Sequence, residues 1–536
     1  MNFGDKGKKS MSKKQFMDIM NKYYIHIGLI FIVAFVFRII FYESKIPLTF
    51  DSLGYFFYAL DTSVLGHLPS NYTIANNGWP IFLSVFFSLL PLNDVFSYME
   101  IQKLISITLS SLTIIPIYFL CRTFFNRSLS IFGAALFAIE PRIIQNSILG
   151  MTEPLYILLG ITSLVLFLNN KKMIYISFAL VAIASIVRAE ALLLLLPYSI
   201  MYFIKNGKNI RGIPKYIVAI MIVVLILIPI TTYTTEILGH DGLTSRFIGG
   251  VSDFSKTSQH YESENSSQGN LLIPISNGVE NFSKFLVWDL IPIYIFFVPI
   301  GSILIFKNLN YKTITIIFTC FTMAIPAFFA YSYPHLDTRY LYFLYPIFCF
   351  VSLFTINKLI SKFKLQNILL IIILVIMILL SSIFLTYKNI DKEHEVEAYL
   401  IAEKISEYPK VINEFYPEDH YLESAETPKD LEDLKLIILD TREKGISIRM
   451  KVSNQIERIS TENFNSIKEF IIESEKKGLT HIIADDQENR PEFLTEVFSN
   501  EEDFPYLIKE YDSSTDNFSY HVKIFKIDYT KFNLSQ

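Results

Sequence analysis

Residues 24–55 read YIHIGLIFIVAFVFRIIFYESKIPLTFDSLGY, a long apolar run followed by a short polar segment. A helix needs about 20 predominantly apolar residues to cross the hydrocarbon core of a bilayer, and residues 24–42 meet that need. Asp51 follows closely, so its carboxylate is expected at a membrane surface. Because charge next to hydrocarbon is costly, an acid at that place has a structural or a functional reason.

The neighbours of Asp51 allow both reasons. Aspartate is a favoured N-cap residue, and Tyr55 and Ala59 follow Ser52 at helical spacing, so Asp51 can cap a helix that begins at Ser52. The alternative is a carboxylate that takes part in chemistry at the membrane surface. These residues alone leave both interpretations open.

The composition sets the class of protein. The chain has 536 residues, of which 51% are hydrophobic, with 47 Phe and 31 Tyr and a net charge of -4. This is too apolar for a soluble protein and indicates a membrane protein with many spans, without a nucleic-acid partner. Cys121, Cys320 and Cys349 lie in or beside apolar segments without metal-site spacing, so they are interpreted as packing residues.

Apolar segments that approach the length of a membrane helix recur along the chain. A window of about 20 residues selects eleven of them, at residues 24–42, 99–120, 128–140, 154–168, 173–187, 190–204, 216–235, 286–306, 313–331, 339–356 and 367–387. The apolar segment Trp79–Leu92 is too short to cross, so we expect a helix at the membrane interface within the first outer loop.

The basic residues orient these spans, because short cytoplasmic loops collect Lys and Arg. Alternate segments are rich in these residues, namely Lys6, Lys8, Lys9, Lys13, Lys14, Lys22, Arg122, Arg127, Lys171, Lys172, Lys205, Lys208, Arg211, Lys215, Lys307, Lys312, Lys358, Lys362 and Lys364. The N-terminal segment 1–23 is therefore predicted to be cytoplasmic, and loops 43–98 and 236–285 to be outside. No cleavage motif follows the first apolar run, which predicts a retained helix.

From residue 388 the composition becomes charged, which predicts an extracytoplasmic α/β domain at 388–536, outside the 24–387 membrane domain. The pattern predicts helices at 397–412, 466–477 and 491–497, and strands at 436–440, 480–485 and 520–527. Asp485 and Asp486 end a strand, where a solvated turn is favoured over a cation site. Loop 236–285 is polar and reads equally well as a lid or as a connection.

Ionisable residues of the predicted outer turns are the candidates for chemistry, and each has a structural alternative. Glu153 precedes a span, where it can stabilise the helix dipole. Arg188 can simply pair with Glu190, and Arg142 with Glu140. Arg339, which follows His335, can snorkel to lipid head groups. Carboxylates and guanidinium groups from separate turns would together form a cavity suited to proton abstraction and phosphate binding.

The succession of these short motifs resembles the GT-C superfamily of membrane glycosyltransferases, in the branch of the protein mannosyltransferases and aminoarabinose transferases, with an archaeal type of C-terminal tail. The resemblance covers roughly residues 20–387, and the motifs that carry it are Phe50-Asp51-Ser52 with Tyr55 and Ala59, Gly78-Trp79-Pro80, Thr152-Glu153-Pro154-Leu155, Arg188-Ala189-Glu190, and Thr338-Arg339-Tyr340 with Pro346. It implies a polytopic all-α bundle of about eleven membrane helices with a C-terminal α/β domain.

The resemblance also implies an activity: inverting transfer of a hexose or pentose from a dolichyl-phosphate-type lipid to a protein, lipid or glycan acceptor at the outer face of the cell membrane. Asp51 then inherits the role of general base and Glu153 that of a second, orienting acid. Arg339 would balance the charge of the departing phosphate, with Arg188 and His335 as further candidates. The remaining substrate-binding candidates are Tyr55, Glu190 and Tyr340.

Two further expectations follow. No cofactor is expected, because the first outer loop lacks a paired Asp-x-Asp, although a divalent cation shared by Asp51 and Glu153 is the alternative. The competing functional class is a transporter or flippase of lipid-linked sugars. Such a protein should show paired halves or broken helices near the midplane, whereas the charges of this chain cluster at one face.

Overall fold

The computed structural model is mostly helical, with a small sheet near the C-terminus. It describes residues 13–44, 48, 50–69, 77–90, 95–169, 173–206, 212–238, 272–307, 309–332, 337–363, 366–405, 411–413, 436–441, 446–451, 457–459, 461, 464–486, 491–516, 518 and 520–535. Most of the polar outer loop 236–285 and His335 therefore lie outside the described residues.

The helices before the sheet are α1 Lys13–Ile40, α2 Phe50–Leu65, α3 Gly78–Leu89, α4 Val95–Leu112, α5 Ile114–Arg122, α6 Arg127–Ala138, α7 Pro141–Ile148, α8 Glu153–Asn169, α9 Ile174–Val187, α10 Leu195–Asn206, α11 Gly212–Leu238, α12 Leu272–Leu290, α13 Val298–Phe306, α14 Tyr311–Ser332, α15 Tyr345–Phe363 and α16 Gln366–Ile405. Two 3₁₀ helices, Ala189–Leu194 and Thr338–Leu344, lead directly into α10 and α15.

Five of the described helical segments are long and apolar enough to cross a membrane, which makes this a membrane protein. They are Ser97–Arg122, Gly212–Glu236, Tyr311–Ser332, Thr338–Lys362 and Ile368–Tyr387. Shorter apolar helices coincide with other expected spans, at Ile25–Ile40, Arg127–Ala138, Glu153–Asn169 and Ile174–Val187. The expected interfacial segment is also a short apolar helix, α3. The count of eleven spans and their orientation remain predictions.

Three of the expected spans, 190–204, 286–306 and 339–356, are not continuous α-helices. In each of them a proline lies close to the point where the regular helix begins. The segment 286–306 breaks after Leu290 and resumes at α13, whose second residue is Pro299. In α10 and α15 the regular helix begins one or two residues before Pro197 and Pro346. Proline lacks an N–H and clashes with the preceding turn, so it is favoured at the start of a helix, although Pro229 and Pro326 lie inside α11 and α14.

Small residues and buried polar groups hold the helices together. A Cβ added to Gly160 would lie 2.4 Å from the Phe343 ring, and one added to Gly301 would lie 2.3 Å from the Val351 carbonyl oxygen. Arg38 in α1 is fully buried. Its guanidinium donates to Ser110 Oγ at 3.0 Å and to the Ala138 carbonyl at 2.9 Å. Helix packing in a membrane relies on such small residues and interhelical hydrogen bonds.

The three cysteines fit the packing role expected of them. All three are free thiols, and Cys121 and Cys349 are buried, whereas Cys320 is partly buried. The Cys349 Sγ lies 3.1 Å from the Tyr294 hydroxyl, and Cys121 packs against Gly133, where an added Cβ would lie 2.8 Å from its sulfur. Small, soft side chains of this kind fill space between closely approaching helices.

The C-terminal part forms a five-stranded sheet of order β4-β1-β5-β7-β6 and a separate hairpin of β2 and β3. The strands are β1 Val411–Asn413, β2 Leu436–Thr441, β3 Ile446–Lys451, β4 Glu457–Ile459, β5 His481–Asp485, β6 Leu507–Asp512 and β7 Val522–Ile527, with helices α17 Ile467–Glu475, α18 Glu492–Ser499 and α19 Tyr529–Leu534. Strand β1 is parallel to β4 and β5, and β7 is antiparallel to β5 and β6.

Most of the expected elements of this region occur. Ser466 caps α17 through a bond from the Glu469 N–H, and Gly478 takes φ +82° after the helix, as its position predicted. The predicted end of the helix at 397–412 is wrong. The apolar span continues without a break as α16 to Ile405, and Val411–Asn413 is a strand. Helical periodicity did not reveal where the helix gives way to the sheet.

By internal contacts the chain divides into two compact units. The first comprises Met1–Tyr42, Ile74–Phe82 and Gln102–Leu385, and the second comprises Glu43–Thr73, Leu83–Ile101 and Thr386–Gln536. The first unit thus contains most of the apolar helices, while the second contains α2 and the C-terminal sheet.

Candidate functional site

The α7–α8 connection places the central acid. Helix α7 ends at Ile148, and Gly150 then takes φ +72°, a conformation that costs glycine little. Helix α8 starts at Glu153, with Pro154 as its second residue. The acid therefore lies in the first helical turn, where the helix dipole favours a negative charge, as the sequence predicted.

The Glu153 carboxylate is buried, with 1% of the side chain exposed, and both of its oxygens accept hydrogen bonds. Oε1 accepts from Arg188 Nη1 at 2.5 Å, and Oε2 accepts from Asn146 Nδ2 at 3.1 Å. Asn146 belongs to α7, so the two helices that flank the turn both hold the same acid. A buried carboxylate with two directed donors has a fixed orientation.

Arg188 reaches Glu153 from the end of another helix. It is the C-cap residue of α9 and has extended backbone angles, φ -146° and ψ 120°, before the 3₁₀ helix Ala189–Leu194. Its Nη2 donates to Glu190 Oε1 at 3.3 Å, and its guanidinium lies 5.8 Å from the centre of the Tyr156 ring. The simple Arg188–Glu190 pair therefore forms, and Arg188 extends it to Glu153.

The resulting cluster of Glu153, Arg188 and Glu190 contains two carboxylates and one guanidinium group. Arg188 is 14% exposed and Glu190 is 19% exposed, whereas Glu153 is almost fully buried. A buried ion pair is retained only when its geometry is good and its other hydrogen bonds are satisfied. The cluster meets these conditions at Glu153 and opens toward solvent at Glu190.

Arg339 lies at the start of the 3₁₀ helix Thr338–Leu344. The Asp337 carboxylate caps this helix by accepting from the Arg339 backbone N–H at 2.8 Å, and it accepts from Arg339 Nε at 2.6 Å. Arg339 Nη1 lies 3.9 Å from the sulfur of Met151, two residues before Glu153. The turn that contains Glu153 and the turn that contains Arg339 are thus neighbours.

Tyr340 packs edge to face against Tyr331, with ring centres 6.2 Å apart. Tyr340 follows Arg339 directly in the chain, so the same turn carries both an arginine and an aromatic side chain. The structure therefore brings together Glu153, Arg188 and Glu190 and places the Arg339 turn beside them. His335 lies outside the described residues.

Asp51 and Tyr55 belong to the second compact unit. Helix α2 starts at Phe50, two residues earlier than expected, so Asp51 lies inside the first turn and does not precede it as a cap. Its side chain is exposed, while Ser52 and Tyr55 are buried. The helix dipole favours a carboxylate in the first turn, so Asp51 stabilises the start of α2.

The sequence did not single out two partners of the candidate residues. Asn146 holds Glu153 from seven residues upstream, with no motif to indicate it. Asp337 holds Arg339, and here a signal existed, because an acid two residues before an arginine at a helix start can accept from both its backbone and its side chain.

Arg142, the other arginine of this region, is differently placed. Its backbone N–H donates to Glu140 Oε1 at 3.4 Å. The guanidinium donates to the carbonyl oxygens of Trp288, at 2.8 Å, and of Ile291, and Nε lies 3.5 Å from Asp289 Oδ1. Arg142 therefore bonds to Glu140 through its backbone, while its guanidinium donates at the end of α12.

Within the described ranges, no group of three or more His, Cys, Asp or Glu side chains is arranged to hold a metal ion. Glu153 has one acidic neighbour across Arg188, and the guanidinium lies between the two carboxylates. The two carboxylates of the cluster are therefore arranged around the guanidinium group of Arg188.

No protein-family model matches the chain, and no curated protein matches its sequence. The fold is similar to a crystal structure of the Archaeoglobus fulgidus oligosaccharyltransferase in complex with Zn and sulfate, with a TM-score of 0.51 and 12% identity over 86% of this chain and 68% of that chain. A structure of the same organism's AglB with an inhibitory peptide and a dolichol-phosphate has a TM-score of 0.48 and 12% identity, covering 93% and 74%.

The first of these likenesses concerns the fold alone, since the identity is low. It shows a fold similar to that of an oligosaccharyltransferase, and membership of the GT-C superfamily remains a prediction from the sequence. The finer placement, in the protein mannosyltransferase and aminoarabinose transferase branch, remains a prediction from the sequence motifs.

Proposed function

We propose that this protein is an inverting glycosyltransferase that moves one sugar from a polyprenyl-phosphate lipid to an acceptor at the outer membrane face. The observation that carries the proposal is the buried Glu153 carboxylate, fixed by Arg188 and Asn146 beside the turn that bears Arg339. An ionisable residue buried in a membrane protein is a candidate for function, and the fold of this chain is similar to that of an oligosaccharyltransferase.

Asp51 acts as the general base in this proposal. It removes the proton from the acceptor hydroxyl while that oxygen attacks the anomeric carbon, and the bond from that carbon to the lipid phosphate oxygen breaks. Attack from the side opposite the phosphate inverts the anomeric configuration. The support for this role is the exposed carboxylate in the first turn of α2, which is able to accept a proton from a solvent-facing acceptor.

Glu153 orients the sugar or the acceptor and does not transfer the proton. Each of its oxygens already accepts one hydrogen bond, from Arg188 Nη1 and from Asn146 Nδ2. A carboxylate held in this way presents a fixed negative charge and its remaining lone pairs to hydroxyl groups. Arg188 and Glu190 set its place and contribute to substrate binding.

Arg339 balances the negative charge that develops on the departing lipid phosphate. Asp337 holds its Nε and backbone N–H, which aims the Nη atoms from a side chain that is 31% exposed. Guanidinium groups bind phosphate through directed N–H donors. Tyr340 and Tyr55, together with His335, are proposed to line the donor site.

The proposed reaction uses no metal ion. The donor phosphate would be neutralised by Arg339, and Glu153 is neutralised by Arg188. The similar A. fulgidus enzyme was crystallised with Zn and sulfate, and a cation shared by Asp51 and Glu153 is the alternative mechanism. Transfer that is unchanged after exhaustive chelation supports the metal-free proposal, whereas loss of transfer that Mg²⁺ or Mn²⁺ restores supports the alternative.

The deciding experiment assays the purified chain in vesicles with a labelled polyprenyl-phosphate sugar. Asp51→Asn should lower the transfer rate by about 10²- to 10⁴-fold, the usual contribution of a general base. Glu280→Gln is the matched control, since it makes the same acid-to-amide change at an exposed position of α12 and should transfer normally.

Two outcomes contradict the proposal. Unchanged transfer by Asp51→Asn removes Asp51 as the base. A parent protein that moves the labelled lipid across the vesicle membrane without any transfer supports the flippase interpretation.

A further inference from the structure

The first turn of α3 is not part of the proposed chemistry, yet it contacts the two chain segments that supply the central ion pair. This turn contains Gly78 and Trp79. One of its residues contacts the turn before Glu153, and the other contacts the end of the helix before Arg188.

Trp79 is fully buried, and its indole Nε1 donates to the Gly150 carbonyl at 3.2 Å. Gln102 Nε2 donates to the same carbonyl at 2.9 Å. Gly150 is the residue with φ +72° that reverses the chain between α7 and α8. Two side-chain donors therefore fix the turn that carries Asn146 on one side and Glu153 on the other.

Gly78 contacts the other segment through its backbone. A Cβ added there would lie 2.7 Å from both the Ile186 carbonyl carbon and the Val187 nitrogen. Real Cβ atoms do not approach backbone this closely, so only glycine lets α3 start against the end of α9. Arg188 follows Val187 directly, so this contact fixes the base of its side chain.

We propose that Gly78 and Trp79 are positioning residues that set the separation of Glu153 and Arg188. The pair joins the first residue of α8 to the cap residue of α9, two helix ends that are 35 positions apart in the chain. The first turn of α3 contacts the chain next to both helix ends. A shift of that turn therefore changes the distance between the Glu153 carboxylate and the Arg188 guanidinium. The catalytic consequence rests on the function proposed above, whereas the geometric consequence does not.

The geometric test is a mutant cycle that needs no activity. Trp79→Phe keeps an aromatic side chain, removes the N–H donor and is smaller than the indole, a loss of volume that both backgrounds share. It is made in the parent chain and in a Glu153→Gln/Arg188→Gln/Glu190→Gln chain, in which the ion pair is removed together with the second carboxylate that Arg188 neutralises. The thermal unfolding of the full-length protein in detergent is measured. The fall in Tm caused by Trp79→Phe should shrink by at least half in the chain that lacks the pair.

The chain offers a matched control, since it contains only two tryptophans. Trp288→Phe makes the same change at a side chain that is 50% exposed, and its effect on Tm should be equal in both backgrounds. If the Trp79→Phe shift is also equal in both backgrounds, Trp79 does not act through the pair and the proposal is overturned. This result would stand whether or not the protein transfers sugar.

The catalytic test separates kcat from KM. Trp79→Phe should lower kcat by about 3- to 10-fold with KM unchanged, because one buried hydrogen bond is worth about 1 kcal/mol and a tenfold rate change corresponds to about 1.4 kcal/mol. A rise in KM with unchanged kcat overturns the positioning role. Coupling in the Tm cycle without any transfer by the parent contradicts the proposed function and leaves the positioning role supported.

Gly78 provides a second variant. Gly78→Ala should lower kcat by at least tenfold, because the added methyl group must push α3 away from α9. Gly28→Ala is the control, since an added Cβ at Gly28 has nothing within 4 Å and alanine favours the helix. Equal activity of the two alanine variants overturns the role of Gly78.

Discussion

Arg188 and Arg142 both lie beside a buried carboxylate at a break between helices, but they donate to different acceptors. Arg188 donates to the side chains of Glu153 and Glu190 and is 14% exposed. Arg142 donates to the backbone carbonyls of Trp288 and Ile291 and is 4% exposed, with Asp289 at 3.5 Å. Its guanidinium also lies 4.9 Å from the centre of the Phe384 ring.

The difference lies in the acceptors, which are backbone carbonyl groups for Arg142 and side-chain carboxylates for Arg188. Carbonyl groups at a helix C-terminus have no partner within the helix, and a cation there satisfies them and favours the dipole. Arg142 therefore completes the end of α12. Arg188 instead joins the buried Glu153 carboxylate to Glu190, which is 19% exposed, and the proposed function uses this cluster. The residue types are the same, so only their acceptors distinguish the two clusters.

The largest expected effect comes from Arg142→Met. The end of α12 loses its donors, and the buried carboxylates of Glu140 and Asp289 lose their counter-charge, which should cost about 3–5 kcal/mol of folding free energy. The variant should give little monodisperse protein by size-exclusion chromatography in detergent. Adding Glu140→Gln and Asp289→Asn should restore much of it. A well-folded Arg142→Met variant would remove the distinction drawn here.

Glu153→Gln should have the converse phenotype. The protein should fold, because glutamine can still bond to Asn146 and Arg188, but the transfer rate should fall by about 10²- to 10³-fold as the fixed charge is lost. The comparison variant is Glu190→Gln, whose weaker bond of 3.3 Å predicts a smaller loss. Rates and Tm are measured together. A large loss of Tm in Glu153→Gln would make this cluster structural too.

Asn146→Leu tests the amide that holds the second oxygen of Glu153. Loss of one buried hydrogen bond should lower kcat by about tenfold, and Asn146→Gln should recover part of it if the longer amide reaches the carboxylate. Initial-rate kinetics over donor concentration check this. Full activity of Asn146→Leu would mean that Arg188 alone orients Glu153.

Asp337→Asn should have a smaller effect, since the Asp337–Arg339 pair is about one-third exposed on both sides. Exposed pairs contribute about 0.2–1 kcal/mol, so the donor KM should change by no more than about fivefold. Arg339→Gln should change it more, because Arg339 is assigned to the phosphate. Donor KM values that rank the two variants in the opposite order would contradict that assignment.

His481 extends the comparison to a buried ionisable group outside the membrane. Burial lowers the pKa of His481 below its ordinary value, against the opposing effect of Glu510, whose carboxylate lies 3.1 Å from Nε2. The unfolded chain therefore binds the proton first, and stability should fall as the pH drops through about 6.5. Tm measured between about pH 7.5 and 5.5 should fall less in His481→Gln than in the parent.

The sequence predicted the parts of the fold that depend on one segment at a time. Apolar runs located the helices, and Ser466 and Gly478 marked the ends of α17. The approach of Glu153 and Arg188 was also anticipated, because the charge pattern placed both on one side of the membrane. Such predictions use only local composition and alternation along the chain.

Contacts between segments that are far apart in the chain could not be predicted from the sequence. Arg142 and Asp289 are 147 positions apart. Nothing in either segment indicates that the Arg142 guanidinium would bond to the end of α12. The break between α12 and α13 was hidden because the apolar run continues through it. Asn146 is a polar residue in a short helix, and only the path of the turn at Gly150 brings it to Glu153.

The buried Arg38 has a consequence for how the protein is made. Its guanidinium acceptors outside α1 are Ser110 and the Ala138 carbonyl, which are 72 and 100 positions further along the chain. A charged side chain in hydrocarbon is unfavourable until such partners exist. During synthesis the first helix therefore cannot reach its final environment before α4 and α6 have emerged. Early steps of membrane insertion must hold α1 at an aqueous or protein-lined position until those helices arrive.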